Sequence, residues 1–270
     1  MSTKGIFTAV SGAMAQNSRL ETIANNIANV NTPSFKKDSQ IFKEYLASHE
    51  RPSEVIQVPK NLAEPESFYN MQGADKGYVE TDRSYTDFKQ GSVKPTGNSL
   101  DFAIEGSGFF EVGTPQGVRL TRNGSFTVDG EGRLVTKDGF TVLQPGAPGT
   151  AAAGREIRLQ PGGDLRVTKT GELFQGVNRV GALSFVSVSN LDGLQKVGTS
   201  NYKLLDTVPV VLTPATDSQI HQASLEMSNV NVIQEMTDMI SATRTFESLQ
   251  KAIQAYDQMN DKLVNTIPKL

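Results

Sequence analysis

The sequence has 270 residues, a formal net charge of −3, and neither cysteine nor tryptophan. The near balance of charge argues against a nucleic-acid-binding protein and against a polybasic membrane-binding protein. The lack of cysteine excludes disulfides and thiolate metal sites, and no apolar run approaches the roughly 18 residues of a membrane-spanning helix.

Residues near the N-terminus have the periodicity of a long helix. From Ile6 to Ile27, a stripe of mostly apolar or small residues recurs at alternating spacings of four and three. This stripe continues through Ala13-Met14-Ala15, which has the small residues of a signal-peptide cleavage site. Because a cleaved leader has no reason to stay in phase with the residues beyond its cleavage site, we expect a helix here rather than a leader.

Two sets of side chains lie on opposite sides of the end of this helix. The apolar set is Ile23, Ile27 and Val30. The amide set is Asn25, Asn26 and Asn29. An uncharged amide face suits contact with a second protein surface, because each amide both donates and accepts hydrogen bonds. The alternative is local capping of a helix end, since Asn31-Thr-Pro33 is a natural stop.

The middle of the chain is rich in turn residues, and most of its 24 glycines lie between Gly91 and Gly181. Apolar and polar residues alternate over 118–143, which predicts strands. Hairpin turns are expected at Asn123-Gly124, Asp129-Gly130 and Asp138-Gly139. Residues 145–155 predict a flexible loop. Residues 47–80 have no clear period and predict an irregular arm.

A second long helix is predicted over residues 226–266, which contain no proline. One face carries Met236, Met239, Ile240, Thr243, Phe246, Leu249, Ile253, Tyr256, Asn260, Leu263 and Ile267. The later spacings alternate three and four, as in a coiled-coil seam. Because each long helix has an apolar stripe and no neighbour in sequence, we expect the two helices to pair.

These elements predict an α+β protein. The N- and C-terminal helices would pair as a coiled-coil stalk, with a central β-rich domain of hairpins. The expected domains are 1–35 with 225–270 as a terminal helical assembly domain, 36–90 as an irregular arm or linker, and 91–224 as a β-rich body.

The sequence has none of the common catalytic or nucleotide-binding motifs. The two histidines, His49 and His221, are far apart, and His221 has no evident partner. The segment from Asp129 to Gly132 lacks the spaced carboxylates of a calcium loop and predicts a hairpin turn. We therefore expect no enzymatic activity, no cofactor, no metal and no small-molecule substrate.

Several segments resemble one protein family. The motif ANNIANVNTPSFKK, at 24–37, resembles the N-terminal signature of the bacterial flagellar rod and hook proteins. The last helix resembles their C-terminal signature, and GNSLDFAIEGSGFFEV resembles part of their shared β-body. Residues 68–102 are most similar to the proximal-rod form, with the distal-rod form as the alternative.

The resemblance implies a structural subunit of the flagellar basal body that crosses the inner membrane through the flagellar type III export apparatus, without a cleaved signal peptide or membrane insertion. The terminal helices would polymerise into the inner tube that surrounds the export channel, with the β-body around them, in the periplasmic span. The partners would be copies of itself and neighbouring rod and hook proteins. The side chains expected at the assembly interface are Ile23, Asn25, Asn26, Ile27, Asn29, Val30, Asn31, Phe35, Met236, Ile240, Phe246, Leu249, Ile253 and Tyr256.

Two other classes remain as alternatives. A periplasmic binding module would still bind its ligand after loss of residues 1–35, whereas a rod subunit would stop assembling. A hydrolase would require a cluster of titratable groups in a cleft.

Overall fold

The structure, a computed structural model, describes residues 4–47, 76–146, 152–160, 162–205, 207–215 and 218–266. The chain forms two compact units. Unit 1 takes its described residues from Met1–Ala24, Ser39–Tyr85 and Gln234–Leu270, and unit 2 takes its residues from Asn25–Asp38 and Thr86–Ile233. The expected α+β class is confirmed, with a helix at each end and a β-rich middle.

Among the described residues of unit 1, the regular structure consists of two helices and two strands. Helix α1 is Lys4–Ala28, helix α2 is Val232–Thr266, and the strands are β1, Asp38–Ala47, and β2, Lys76–Thr86. The strands pair as a two-stranded sheet, where the sequence predicted an irregular arm. The remainder of that arm, 48–75, lies outside the described residues. The backbone N–H of Val79 donates to the Ser11 hydroxyl at 3.2 Å, and Gln40 donates to Ser18 at 2.8 Å, so the sheet contacts α1.

The two helices meet where glycines of α1 face large side chains of α2. A Cβ added at Gly12 would lie 3.4 Å from a δ-carbon of Leu249, and one added at Gly5 would lie 2.6 Å from the hydroxyl of Tyr256. At Gly5 the lack of a side chain permits this approach, whereas a Cβ at Gly12 would be at ordinary contact distance. The two helices therefore contact each other at more than one level.

The asparagines at the end of α1 form bonds within the chain. The side-chain amide of Asn29 donates to the backbone carbonyl of Asn25 at 2.9 Å, which satisfies one carbonyl of the last turn. Asn26 forms two hydrogen bonds with the backbone of Asp38, donating to its carbonyl at 2.9 Å and accepting from its N–H at 3.0 Å. Asn29 thus makes a local capping bond, and Asn26 makes a tertiary contact within its own chain.

Helix α2 begins later than the sequence predicted. The side chain of Asn231 accepts a hydrogen bond from the N–H of Ile233 at 3.1 Å, which is the arrangement of a helix N-cap. Residues Ser224–Glu226 form a strand instead, because they pair with Val93–Pro95. The helical pattern therefore starts at 232, not 226.

The strands in the described part of unit 2 form four sheets. A nine-stranded sheet has the order β14-β15-β6-β5-β9-β8-β7, with β13 and β16 attached through β5. Its strands are β5 Phe109–Thr114, β6 Gly117–Thr121, β7 Phe126–Val128, β8 Leu134–Thr136, β9 Thr141–Val142, β13 Phe185–Val188, β14 Leu194–Val197, β15 Asn201–Leu204 and β16 Leu212–Pro214. A three-stranded sheet consists of β10 Leu165–Val167, β11 Glu172–Gln175 and β12 Asn178–Ala182. In one two-stranded sheet, β4 Phe102–Glu105 pairs with β17 Gln219–Gln222. In another, β3 Val93–Pro95 pairs with β18 Ser224–Glu226. A short 3-10 helix, Leu191–Gly193, precedes β14.

Large apolar side chains fill two clusters in unit 2. The larger cluster includes Phe102, Phe110 and Leu134, each with 0% of its surface exposed. The second surrounds Tyr202, whose ring lies 5.7 Å from that of Phe109 and 5.2 Å from that of Phe88, measured between centroids. The body therefore has a core of its own.

One of the three expected hairpin turns is absent. Asp129-Gly130 joins the paired strands β7 and β8, as predicted. Asp138-Gly139 joins the paired strands β8 and β9, also as predicted. Asn123-Gly124 instead connects β6 to β7, which are not paired with each other. A Cβ at Gly124 would lie 1.8 Å from the carbonyl oxygen of Phe102, so close backbone packing explains this glycine. Of the expected loop at 145–155, residues 147–151 lie outside the described residues.

Candidate assembly surface

Helix α1 exposes large apolar side chains in unit 1. Phe7 is 68% exposed, Val10 37% and Met14 69%, at the spacing of one helical face. Between residues 4 and 24, the charged residues are Lys4, Arg19 and Glu21. An apolar face with so little charge is unlike an ordinary solvent-facing helix surface.

A shallow groove of about 340 Å³ lies beside this face, within unit 1. It is lined by Val10, Ala13, Met14, Asn17, Ser18, Glu21, Phe246 and Ile253. Asn17 donates to the Glu21 carboxylate at 3.0 Å, which fixes a polar edge on an otherwise apolar surface. The groove takes residues from both helices, so it exists only where they pack together.

The expected interface residues of α2 fall into two groups. Met236 is 52% exposed and Ile240 is 55% exposed. Phe246, Leu249, Ile253 and Tyr256 are half-buried. Phe246 and Ile253 line the groove, and Leu249 and Tyr256 face the glycines of α1.

The expected interface residues near the end of α1 are placed less uniformly. Asn25 and Asn31 are exposed, and Ile27, Asn29 and Val30 are half-buried. Ile23, Asn26 and Phe35 are buried, with 5%, 1% and 1% of their surfaces exposed. The last three side chains are thus already enclosed by their own chain.

Sequence reasoning missed Phe7 and Met14 as surface residues. They lie off the stripe that begins at Ile6, and that stripe is itself incompletely buried, since Val10 and Asn17 are exposed. The size of the side chains could have indicated the exposed face, because the residues that α1 buries in unit 1 include the small Ala9, Ala13 and Ala15. A search for large apolar residues outside the stripe of small ones would have found them.

His221 has a partner that the sequence did not reveal. Its Nε2 lies 2.6 Å from a carboxylate oxygen of Glu105. Strand β17 pairs with β4, so His221 lies opposite Ala103 and diagonal to Glu105. Among the described residues, no group of three or more potential metal ligands comes together. No helix in the described part of the chain is long and apolar enough to cross a membrane.

Comparisons with known protein families match both ends and the middle of the chain. The flagella basal body rod protein model matches residues 6–36, and the FlgE/F/G D1-domain model of flagellar hook proteins matches 103–175. The C-terminal model of the flagellar basal body rod FlgEFG proteins matches 221–266. These segments hold α1, the central strands and α2, and they define a class: structural proteins of the bacterial flagellar axis.

Whole-chain relatives narrow this class to rod proteins. The flagellar basal-body rod protein FlgF of Caulobacter vibrioides is 32% identical over 98% of this chain and 98% of its own. FlgG of Buchnera aphidicola subsp. Baizongia pistaciae is 33% identical over 96% and 97%, and FlgF of Rhizobium meliloti is 31% identical over 97% of each chain. The chain therefore belongs to the family of flagellar basal-body rod proteins, and it is a structural subunit rather than an enzyme.

Proposed function

We propose that this rod subunit polymerises through its two terminal helices, which bury their exposed apolar faces against neighbouring subunits. The observation that carries this proposal is the groove of unit 1 with Phe7 and Met14 beside it, both more than 60% exposed. The neighbours would be copies of this chain and other rod or hook proteins. The helices would then line the axial tube and surround the export channel.

The helices are proposed to pair as a coiled coil in the assembled rod. The half-buried residues Phe246, Leu249, Ile253 and Tyr256 follow each other at spacings of three and four, which is the spacing of such a seam. The glycines of α1 that face Leu249 and Tyr256 allow close approach. Exposed Met236 and Ile240 lie beyond this seam and remain available to another subunit.

Burial of these side chains would couple assembly to ordering of the helices. Apolar surface removed from water contributes about 25 cal/mol per Å². A helix that exposes Phe7 and Met14 forgoes much of this free energy until a neighbour covers it. Contacts between different faces of successive subunits do not close on themselves, and they generate filaments.

The test is a pair of aspartate substitutions at exposed apolar positions. Met14→Asp places a charge on the groove, and Val177→Asp places one on a residue of unit 2 that is 94% exposed. Both variants should fold with wild-type circular dichroism. We expect Met14→Asp to abolish rod assembly and swimming, because the charge would have to be desolvated in the interface, and Val177→Asp to retain both.

Two results would contradict the proposal. One is normal rod assembly by Met14→Asp. The other is equal loss of assembly by both variants, because the body rather than the helices would then carry the contact. Asn25→Asp provides a second probe at the amide face, where the side chain is exposed.

Within the rod, we propose the proximal part, in the periplasmic span, with the distal part as the alternative. The support is the resemblance of residues 68–102 to the proximal-rod form. The relatives named FlgF and those named FlgG are equally similar, at 32% and 33% identity, so they do not discriminate. Antibody labelling of purified basal bodies would decide: label near the base supports the proximal position, and label at the far end supports the distal one.

A further inference from the structure

Three segments that are far apart in sequence meet inside unit 2. We call this meeting point the junction: it comprises residues 34–37, which follow α1, residues 87–91, which follow β2, and residues 226–229, which precede α2. The first and last segments bond directly to each other. The N–H of Ser34 donates to the carbonyl of Glu226 at 2.8 Å, and the N–H of Asn229 donates to the carbonyl of Phe35 at 3.4 Å.

A single buried carboxylate lies at the centre of the junction. The Glu226 side chain is 0% exposed, and one of its oxygens lies 2.6 Å from the equally buried ammonium of Lys36. The same oxygen accepts a hydrogen bond from the N–H of Gly91 at 2.9 Å. The other oxygen lies 3.2 Å from the guanidinium of Arg122, which follows β6. The Lys36 ammonium also donates to the carbonyl of Lys89 at 2.6 Å.

A neutral side chain joins the same three segments a second time. The side-chain carbonyl of Asn229 accepts a hydrogen bond from the N–H of Lys37 at 2.8 Å. Its amide donates to the carbonyls of Asp87 at 2.8 Å and Lys89 at 3.1 Å. Each segment of the junction is therefore held by two independent side chains, one charged and one neutral.

A second cation also contacts the first segment. The ammonium of Lys196, on β14, lies 3.7 Å from the centroid of the Phe35 ring and 2.7 Å from a carboxylate oxygen of Asp38. It also donates to the carbonyl of Lys36 at 2.8 Å. Cation–π and charged contacts of this kind are stronger when they are desolvated.

Burial of three charges at one point is expensive, and it is tolerated only while all partners are present. Desolvation lowers the pKa of Lys36, whereas the charge of Glu226 raises it. Loss of one segment would leave the charges of the others buried and unpaired. The bonds thus penalise any state in which one segment has detached and the others have not.

We propose that the junction is a coupled latch, which makes the segment after α1 and the segment before α2 attach to the body together and detach together. The latch assigns Phe35 and Lys36, at the end of the N-terminal family signature, to fastening within the chain rather than to contact between subunits. This inference does not depend on the mode of rod assembly. In a rod subunit, the latch would transmit a mechanical load on either helix to the segments that connect both helices to the body.

The test is amide hydrogen exchange in the full chain, read by NMR at single residues. The reporters are the N–H groups of Ser34 and Met227, which donate to backbone carbonyls and lose no partner in the variants. The variant is Asn229→Ala, and the matched control is Asn178→Ala on an exposed part of β12. Amides of Val112 on β5 report on the core.

We expect Asn229→Ala to speed exchange at both reporters by a similar factor, about tenfold or more, with little change at Val112. Glu226→Gln should produce a larger effect of the same pattern, and the control should produce none. Faster exchange at only one reporter would overturn the coupled latch, and so would unchanged exchange at both or an equal increase at Val112. If Glu226→Gln does not fold, Asn229→Ala decides alone.

Discussion

In unit 2, the fully enclosed positions are filled by large side chains such as Phe102, Phe110 and Leu134, at 0% exposure. In unit 1, the buried apolar residues of α1 are Ala9, Ala13, Ala15 and Ile23. Two of the larger side chains of that helix, Phe7 and Met14, are exposed. Because hydrophobic stabilisation grows with the apolar area buried, the body stabilises itself and the helices gain much less from their own chain.

This contrast explains how one chain can serve two purposes. The body buries large apolar side chains in a core of its own, whereas α1 buries mainly alanine and leaves apolar surface that the proposed assembly would cover. Substitutions in each unit test the contrast, from the largest expected effect to the smallest.

Phe110→Ala should lower the free energy of unfolding by about 3–5 kcal/mol, because it leaves a cavity in a fully enclosed site. Met14→Ala, at a site that is 69% exposed, should stay within about 0.5 kcal/mol of wild type. Urea unfolding followed by circular dichroism measures both. Similar losses in the two variants would remove the distinction between body and helices.

Gly124→Ala should cost about 3 kcal/mol, because the new methyl group would meet the carbonyl oxygen of Phe102 and force the backbone apart. Gly130→Ala is the matched control, since nothing lies within 4 Å of a Cβ at that position. Thermal unfolding of both variants tests whether the body is as closely packed as its geometry indicates. An unchanged melting temperature in Gly124→Ala would show that the backbones of Gly124 and Phe102 are not closely packed.

Gly12→Ala should stabilise the helical unit by about 1 kcal/mol, because alanine favours the helix and the added carbon would make an ordinary contact, 3.4 Å from Leu249. Gly5→Ala should gain less, since its methyl group would lie 2.6 Å from the Tyr256 hydroxyl and displace that ring. Ellipticity at 222 nm during thermal unfolding distinguishes the two. A destabilising Gly12→Ala would mean that the helices already pack as tightly as the body.

The smallest effect is expected at the hairpin between β7 and β8. The backbone N–H of Arg133 bonds the Asp129 carboxylate and is the main cause of the lowered pKa of Asp129. Because this pKa is lower in the folded protein, the stabilisation is present above the unfolded-state pKa and is lost as pH falls through the folded-state pKa. Asp129→Asn should remove this acid-side dependence. Urea titrations at neutral and acidic pH would show it, and an unchanged profile would exclude it.

The sequence predicted the helices and turns of this fold better than it predicted which strands pair with each other. Two terminal helices followed from spacings of three and four, and the turn at Asp138-Gly139 followed from local chemistry, with Gly139 at a φ of +83°. The pairing of β4 with β17 joins residues that are more than roughly 100 positions apart in the sequence, such as Phe102 and Gln222, and no local pattern encodes such a contact. The role of Gly124 was missed for the same reason.

The candidate surface was predicted only in part. The half-buried residues of α2 lie at the spacings of three and four that its periodicity showed, but the exposed face of α1 depends on which small residues meet α2. Lys36 and Glu226 are 190 positions apart, so their ion pair could not be inferred from either sequence neighbourhood. Asn26 was predicted at a contact with another molecule, and its two hydrogen bonds to the backbone of Asp38 within the chain have no sequence signature.

Two hydrogen bonds join the side chain of Asn26 to the backbone of Asp38. They close the turn after α1 with one amide donor and one amide acceptor, and the chain contains no cysteine. Their strength is therefore indifferent to oxidants and reductants. The same turn can form in a compartment that reduces disulfides and in one that makes them, without help from an oxidising enzyme.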